Sequence, residues 1–405
     1  MNILFLDAYY EPEQIAFTHL ENDLIEGLIN DGHKIEIICP TPSRSVSEEV
    51  YKKYKAIKDE YKYDGNLHIR RFYSPREGNS VILRALRYLW CNIRTYQTGK
   101  NTKGIDLVIC NSTPPTQGIV SGKIAKKLKV PFLYLLQDIF PDSLVTTGLA
   151  KKNSFLWRIG SFIEKHTYDL STKIVVITDT MKLNLIEKNI NEDKIEVISN
   201  WVDTEKVCPI AKEKNKIFDE YGIKKDIFTV LYAGNFGESQ GAEIIIDAAK
   251  EMAEDSNYQF VIFGGGSKFL EAKRKSKNLP NVYINGLAPQ EKAAEIYSMA
   301  DIAIITGKKG VGGSGMPSKT WSIMACNTPI IASFDKGGEL EKVLSKSKGG
   351  TCVNPENLQE LINEIKKYHH SNTKCNSRNY VEQNASKKVC VGLYLSIINS
   401  IAKNI

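Results

Sequence analysis

Short, unbroken apolar runs punctuate the chain: NILFLD (2–7), KIEIICP (34–40), DLVICN (106–111), PFLYLLQD (131–138), KIVVIT (173–178) and KIEVIS (194–199). Runs of this length without polar alternation predict strands covered on both faces, as in parallel sheets. Segments of helical period separate them. In 17–31, Leu20, Leu24, Ile25 and Leu28 share a face, and Gly32 supplies a stop. The rhythm then restarts, with strands expected at 228–235, 258–266, 281–287, 301–306, 329–334 and 350–354. Helices are expected between them at 241–253, 289–299, 318–326 and 356–369. Alternating strand and helix predicts an α/β chain of two Rossmann-like domains facing a central cleft. The expected division is 1–202 and 203–378, with a helical tail, 379–405, crossing back onto the first domain. Segment 200–227 carries Pro209 and the lysine-rich KEKNK and reads as a hinge. Segment 43–66 is polar and tyrosine-rich and reads as an excursion from the sheet.

Composition narrows the classes. A chain of 405 residues, 42% hydrophobic and 25% charged, is globular and long enough for two or three domains. A net charge of +7 is mild for this length and points away from nucleic acid. The eight cysteines include no CxxC, so no zinc site is expected, and several lie in apolar runs as reduced, buried thiols of a cytoplasmic protein do. The opening MNILFLDAYY lacks a basic region and is broken by Asp7, so it reads as a first strand rather than a signal peptide. No stretch approaches the roughly 20 apolar residues of a membrane span.

Ligands of open α/β sheets sit beyond the carboxyl ends of the strands, and two loops there carry the chemistry. In LYAGNFGESQG (231–241), Gly234 and Gly237 follow a strand, flanked by Asn235 and Gln240. Glycines let backbone N–H groups approach an anion, and the following helix adds positive potential. In TGKKGVGGSGMPSK (306–319), five glycines occur in nine residues before a helix opens at Pro317 or Ser318. Ser314, Ser318 and Lys319 there can hold a diphosphate or sugar hydroxyls. The bland readings are a tight turn for the first loop and a flexible loop with a solvated lysine for the second. GxxxxGK[ST] is not matched, so this is not a P-loop; GGGS (264–267) lacks the GxGxxG context, which disfavours NAD. Asp138 ends a strand, where a carboxylate can orient a substrate hydroxyl or take its proton, or serve only as a cap. No Asp-x-Asp and no histidine constellation occurs, so no metal is expected.

One segment suggests a surface. No acidic residue lies between Glu77 and Asp106. Within VILRALRYLWCNIR, Ile82, Leu86, Leu89 and Ile93 share one helical face; Arg84, Arg87 and Arg94 share another, with Leu83 and Trp90 between. That is an amphipathic basic helix, and FLWRIGSF (155–162) is similar. The bland reading is a core helix with a solvated arginine face. The functional one is peripheral docking of 81–97 and 155–162 on anionic lipid, to reach a lipid-linked acceptor.

The ordered series YYEPE, LENDLIEGLINDGHKIEIIC, VISNWVD (197–203), LYAGNFG, FVIFGGG, NVYINGL, YSMADIAII and MPSKTWSIMACNTPIIAS resembles bacterial glycosyltransferases of family 4, with the GT-B fold. The closest likeness is to the subgroup building capsule, O-antigen or exopolysaccharide units, including transferases of 6-deoxy amino sugars such as N-acetylfucosamine. The resemblance implies retaining transfer from a UDP-sugar, without metal or other cofactor, to a lipid-linked saccharide. It places the acceptor in the first domain and the nucleotide in the second. Leu287, within NGL (285–287), and the Gly264–Gly265 turn would flank the base. Gly234, Asn235, Gly237 and Gln240, with Gly313, Ser314, Gly315, Met316, Pro317, Ser318 and Ser322, would hold diphosphate and sugar. The chain departs from the family at several points. Asn235 and Gln240 stand near the usual Arg and Lys, so Lys319 is expected to supply the missing cation. Ser314 and Ser322 stand where a Glu-x7-Glu pair is usual. Gln137 replaces the histidine that commonly precedes Asp138 and is expected to meet the sugar C6 hydroxyl, which suits a 6-deoxy donor. Ile15 and Ala16 replace a glycine pair. A nucleotide-sugar epimerase of the same fold and a catalytically silent nucleotide-sugar-binding subunit are the alternatives.

Overall fold

Strands β1 (Asn2–Leu6), β2 (Lys34–Pro40), β3 (Asp59–Lys62), β4 (Leu67–Phe72), β5 (Leu107–Asn111), β6 (Phe132–Leu136), β7 (Lys173–Val176) and β8 (Ile195–Val197) form one sheet in the order β3-β4-β2-β1-β5-β6-β7-β8. The computed structural model describes all residues except 14, 16, 45, 79, 147–150, 313–315, 372–374, 404 and 405. All strand pairs of this sheet are parallel except β3 with β4. β5 and β6 are buried at every position, as helices on both faces require. The first compact unit consists of Met1–Ser199 with Cys390–Ile405; the second is Asn200–Val389.

The second unit holds β9 (Phe228–Asn235), β10 (Tyr258–Gly265), β11 (Val282–Asn285), β12 (Ile302–Thr306), β13 (Ile330–Ser333) and β14 (Gly350–Val353), in the order β11-β10-β9-β12-β13-β14 and wholly parallel. In each unit the winding direction reverses beside the first strand, between β1 and β5 and between β9 and β12. Loops leaving such a pair diverge and open a crevice.

Three expectations need correction. Segment 43–66 is less of an excursion than its polarity suggests. It forms the helix Glu48–Ala56 and the edge strand β3, and leads into β4, which adds a further strand beside β2. β4, with sequence LHIRRF, alternates because its outer positions meet partners: Arg70 Nη1 bonds Glu36 at 2.6 Å. Segment 200–227 is no hinge in its second half. Ile217, Phe218 and Ile223 are buried in the unit 2 core, and Asn215 bonds the Glu295 carbonyl at 2.7 Å. The third correction concerns the helix Val81–Gly99. Its apolar side faces solvent: Ile82 is 73% exposed, and Leu83, Leu86, Leu89, Trp90 and Ile93 are also exposed. Arg87 is 3% exposed and turns inward to Glu77. Hence neither the core helix with a solvated arginine face nor the outward basic face describes it.

Near the C-terminus the chain runs through the helices Ser377–Asn384 and Lys387–Ala402 and rejoins unit 1 from Cys390 onward. Tyr394 and Ile398 are buried there. Five cysteines are buried, and none forms a disulfide among the described residues.

Candidate functional site

The unit 2 edge is organised by one lysine. Lys319 begins the helix Lys319–Ala325, beyond the glycine-rich loop. It is not a solvated side chain. Its ammonium donates to the Ala233 carbonyl at 3.2 Å and lies 4.3 Å from the centre of the Tyr232 ring. Burial disfavours the charged amine and lowers its pKa to about 8. A Cβ on Gly234 would sit 2.7 Å from this nitrogen, so glycine is what lets the cation reach the end of β9.

The 234–241 turn is braced on three sides. The Tyr232 hydroxyl donates to the Asn235 carbonyl at 2.8 Å, and Phe236 N–H donates to the Gly265 carbonyl at 2.6 Å. Lys308 N–H donates to the Ser239 carbonyl at 2.9 Å, which ties the turn to the loop after β12. Gln240 N–H closes on the Gly237 carbonyl at 3.3 Å before the helix Glu243–Glu251 begins. The two loops singled out from the sequence therefore meet across the β9/β12 reversal. Lys268 follows β10 and holds Glu238 and Glu243 at 2.9 and 2.8 Å; Lys308 Nζ approaches Glu238 at 3.8 Å. Bonds from Glu243 and then Glu238 raise the Lys268 pKa.

Leu287 is 73% exposed and packs over Gly265, with Cγ 3.0 Å from a Cβ placed there. Gly264 pairs with Gly234 across β10 and β9. Met316 and Pro317 are half-buried, Met316 against the core; Ser318 is exposed, and Ser322 is half-buried on the helix that Lys319 opens. Gly313, Ser314 and Gly315 lie outside the described residues. The backbone N–H groups of Gly310 and Gly312 both donate to Asp335, which follows β13.

The unit 1 edge is built differently. Asn111, ending β5, donates to Asp7 beyond β1 at 2.6 Å. Burial raises the pKa of both Asp7 and its neighbour Glu21, and the Asp7 charge pushes that of Glu21 further up. Glu13 is fully buried and accepts from the Ser43 and Arg44 N–H groups at 2.7 Å each. Burial still outweighs those bonds and lifts its carboxyl to about 7. The Tyr9 hydroxyl donates to Glu77 at 2.8 Å, while Arg84 and Arg87 approach the same carboxylate at 3.1 and 3.4 Å.

Gln137 and Asp138 follow β6. Gln137 N–H donates to the Ser112 hydroxyl at 3.0 Å. Asp138 reaches solvent, yet its carboxyl is crowded. Desolvation raises its pKa against the opposing bonds from the Ser143 side chain and the Ile139 N–H. Asp138 also lines a small cavity with Tyr134, Glu164 and Tyr168.

Sequence reasoning passed over Lys268, Lys308 and Asp335 in unit 2, and over Glu13 and Glu77 in unit 1. Only Lys308 carried a local signal, its place in the glycine-rich loop. The helix Phe155–Leu170 repeats the outward apolar character of Val81–Gly99: Phe155 is 81% exposed, and Leu156, Ile159 and Phe162 are exposed with it. No helix among the described residues is long and apolar enough to cross a membrane. No group of three His, Cys, Asp or Glu side chains among them could hold a metal ion.

Comparison with known proteins gives the same division. A model described as glycosyltransferase family 4 matches residues 22–206, and one described as glycosyl transferases group 1 matches 213–388. The probable glycosyltransferase WbjE of Pseudomonas aeruginosa is 25% identical over 302 residues, covering 73% of this chain and 75% of that protein. WcaI of Escherichia coli, a putative colanic acid biosynthesis glycosyl transferase, is 23% identical, covering 90% and 91%. Among solved structures, sucrose-phosphate synthase of Thermosynechococcus elongatus superposes over the whole of both chains with a TM-score of 0.75 at 15% identity. HepE of Anabaena, in complex with UDP, does so over 99% of this chain and 100% of its own, with a TM-score of 0.70 at 16% identity. The chain thus belongs to the GT-B glycosyltransferases, with a family 4 domain followed by a group 1 domain.

Proposed function

We propose that the protein transfers a sugar from a UDP-sugar to a lipid-linked saccharide with retention of anomeric configuration, in the assembly of a surface polysaccharide. The observation that carries the donor half is the meeting of the 234–241 turn, the loop after β12 and Lys319 at one end of the β9/β12 pair. A lysine held against a backbone carbonyl and an aromatic face is poorly compensated, and an arriving diphosphate restores what burial removed. Leu287 over Gly265 offers an apolar shelf to the uracil ring. Lys319, Gly234, Asn235, Gly237 and Gln240 would hold the diphosphate; Met316, Pro317, Ser318 and Ser322, with residues 313–315, would complete the sugar side. Lysines carry the charge in this reading, and no metal or other cofactor is used.

In the reaction the acceptor hydroxyl oxygen bonds to the anomeric carbon. The bond from that carbon to the β-phosphate oxygen breaks, and its electron pair stays on the leaving diphosphate, which Lys319 stabilises. The acceptor proton goes to a base, and we assign that role to Asp138, whose carboxylate desolvation makes more basic than an ordinary aspartate. Gln137 in place of histidine supports a 6-deoxy N-acetylamino donor. The outward apolar residues of Val81–Gly99 and Phe155–Leu170 support peripheral membrane association and hence a lipid-linked acceptor.

The test is incubation with a panel of UDP-sugars, with and without a lipid-linked acceptor. Transfer that needs both is expected. Sugar interconversion without acceptor would instead mark an epimerase, and binding without turnover a silent subunit.

A further inference from the structure

The first limb of the glycine-rich loop, 307–312, is held from two sides. Gly307 N–H donates to the Ser333 carbonyl at 3.0 Å, and Lys308 N–H donates to Ser239 at 2.9 Å. On the other side, Gly310 N–H lies 3.0 and 2.8 Å from the two Asp335 carboxylate oxygens, and Gly312 N–H lies 2.8 Å from Oδ2. Two backbone N–H groups converging on one anion form a nest of the kind that elsewhere takes a phosphate oxygen. Here the chain supplies the anion itself.

The geometry demands both glycines. Gly310 has φ +93°, and a Cβ on Gly312 would come within 2.7 Å of the Asp335 Cβ. Among the described residues no lysine or arginine pairs with Asp335, and its carboxylate is held by the two N–H groups. A carboxylate beside a diphosphate site opposes the ligand by its charge. Its presence there needs a structural return, and the bonds show one: they fix the limb whose Lys308 clasps the 234–241 turn.

We propose that Asp335 is a positioning residue of the donor site. It fills the N–H nest of Gly310 and Gly312, so the donor diphosphate is received not by these groups but by the lysines and the turn that the pinned limb sets in place. This rests on the donor reading above. Asp335 touches no reacting atom and acts through the loop.

The experiment compares wild type, Asp335→Ala and Asp335→Asn in donor and acceptor kinetics, in UDP binding, in thermal midpoint, and in amide hydrogen exchange over 307–312 without ligand. Removing a charge-assisted pair of bonds should raise the donor KM of Asp335→Ala about tenfold, with the acceptor KM and kcat within about twofold. Asparagine keeps one acceptor oxygen and should recover part of that loss. Exchange at Gly310 and Gly312 should be protected in wild type and lost in Asp335→Ala, with little change in thermal midpoint. A wild-type donor KM in Asp335→Ala overturns the proposal. So does tighter UDP binding, which would show the carboxylate competing with phosphate rather than placing its site. A fall in kcat and midpoint with unchanged donor KM would reduce Asp335 to a general fold contact and overturns it too. If wild type binds no UDP or UDP-sugar, the donor reading falls and takes the positioning role with it. The exchange data then still report whether the carboxylate holds the limb.

Discussion

At its carboxyl edge the unit 1 sheet carries carboxyls and hydroxyls: Asp7, Glu13 and Glu21, with Tyr9 bonded to Glu77. The corresponding edge of unit 2 carries glycines and lysines: Gly234, Gly237 and Gly241 beside Lys268, Lys308 and Lys319. Apart from the antiparallel edge strand β3, both sheets are parallel, and both reverse their winding beside the first strand, so architecture hardly separates them. Chemistry does. In unit 1 the carboxyls are buried and burial pushes their pKa values up. Lysines and backbone N–H groups suit a highly charged anion. On the reading proposed above, the unit 2 edge would take the donor and the unit 1 edge the acceptor.

The largest expected effect breaks the unit 2 side. Lys319→Ala should lower donor kcat/KM by about 1.5–3 kcal/mol, roughly ten- to hundredfold, in steady-state kinetics. The pH dependence follows from its depressed pKa. Free Lys319 is charged below about 8 and neutral above, so donor affinity should weaken as pH rises through 8. Gly234→Ala should act in the same direction by displacing that ammonium, somewhat less strongly because a lysine stem can shift.

On the unit 1 side, replacing Leu86 and Leu89 together by serine removes apolar surface that now faces water. Flotation with liposomes should fall several-fold. Because Arg84 and Arg87 are engaged by Glu77, the binding should resist moderate salt. The double variant should keep its rate on a water-soluble acceptor. Loss of that rate would assign the patch to the fold rather than the membrane.

Smallest is the effect at Glu13. Its carboxyl is raised from 4.5 to about 7 in the folded chain. The folded state therefore binds this proton more tightly than the unfolded state, and its stabilising contribution is present below about 4.5 and lost as pH rises through 7. Glu13→Gln should flatten that slope, raising the thermal midpoint at pH 8 relative to pH 5 by about 2–4 °C. An unchanged slope would remove Glu13 from the description of a proton-holding edge. Activity undiminished by a chelator is expected as well.

Much of the fold was legible because buried parallel strands leave continuous apolar runs: β9 spans the residues its pattern delimits, Phe228–Asn235. β4 was not, since LHIRRF earns its place through Arg70 and Arg71 meeting partners on other segments. For Val81–Gly99 the pattern gave two faces correctly but not which turns inward. Glu77, in the preceding loop, decides that by binding Arg84 and Arg87. The glycine loops announced themselves locally. Asp335 did not, because its meaning lies in two N–H groups more than twenty residues away in sequence.

The central claim is that the glycine–lysine edge of unit 2 grips a nucleoside diphosphate through Lys319. Calorimetric titration of UDP into wild type and Lys319→Ala, at pH 7 and pH 9, tests it most directly. Wild type should bind at pH 7 and weaken markedly at pH 9, while the variant should bind weakly and alike at both. Equal affinity of the two proteins at pH 7 would contradict the account.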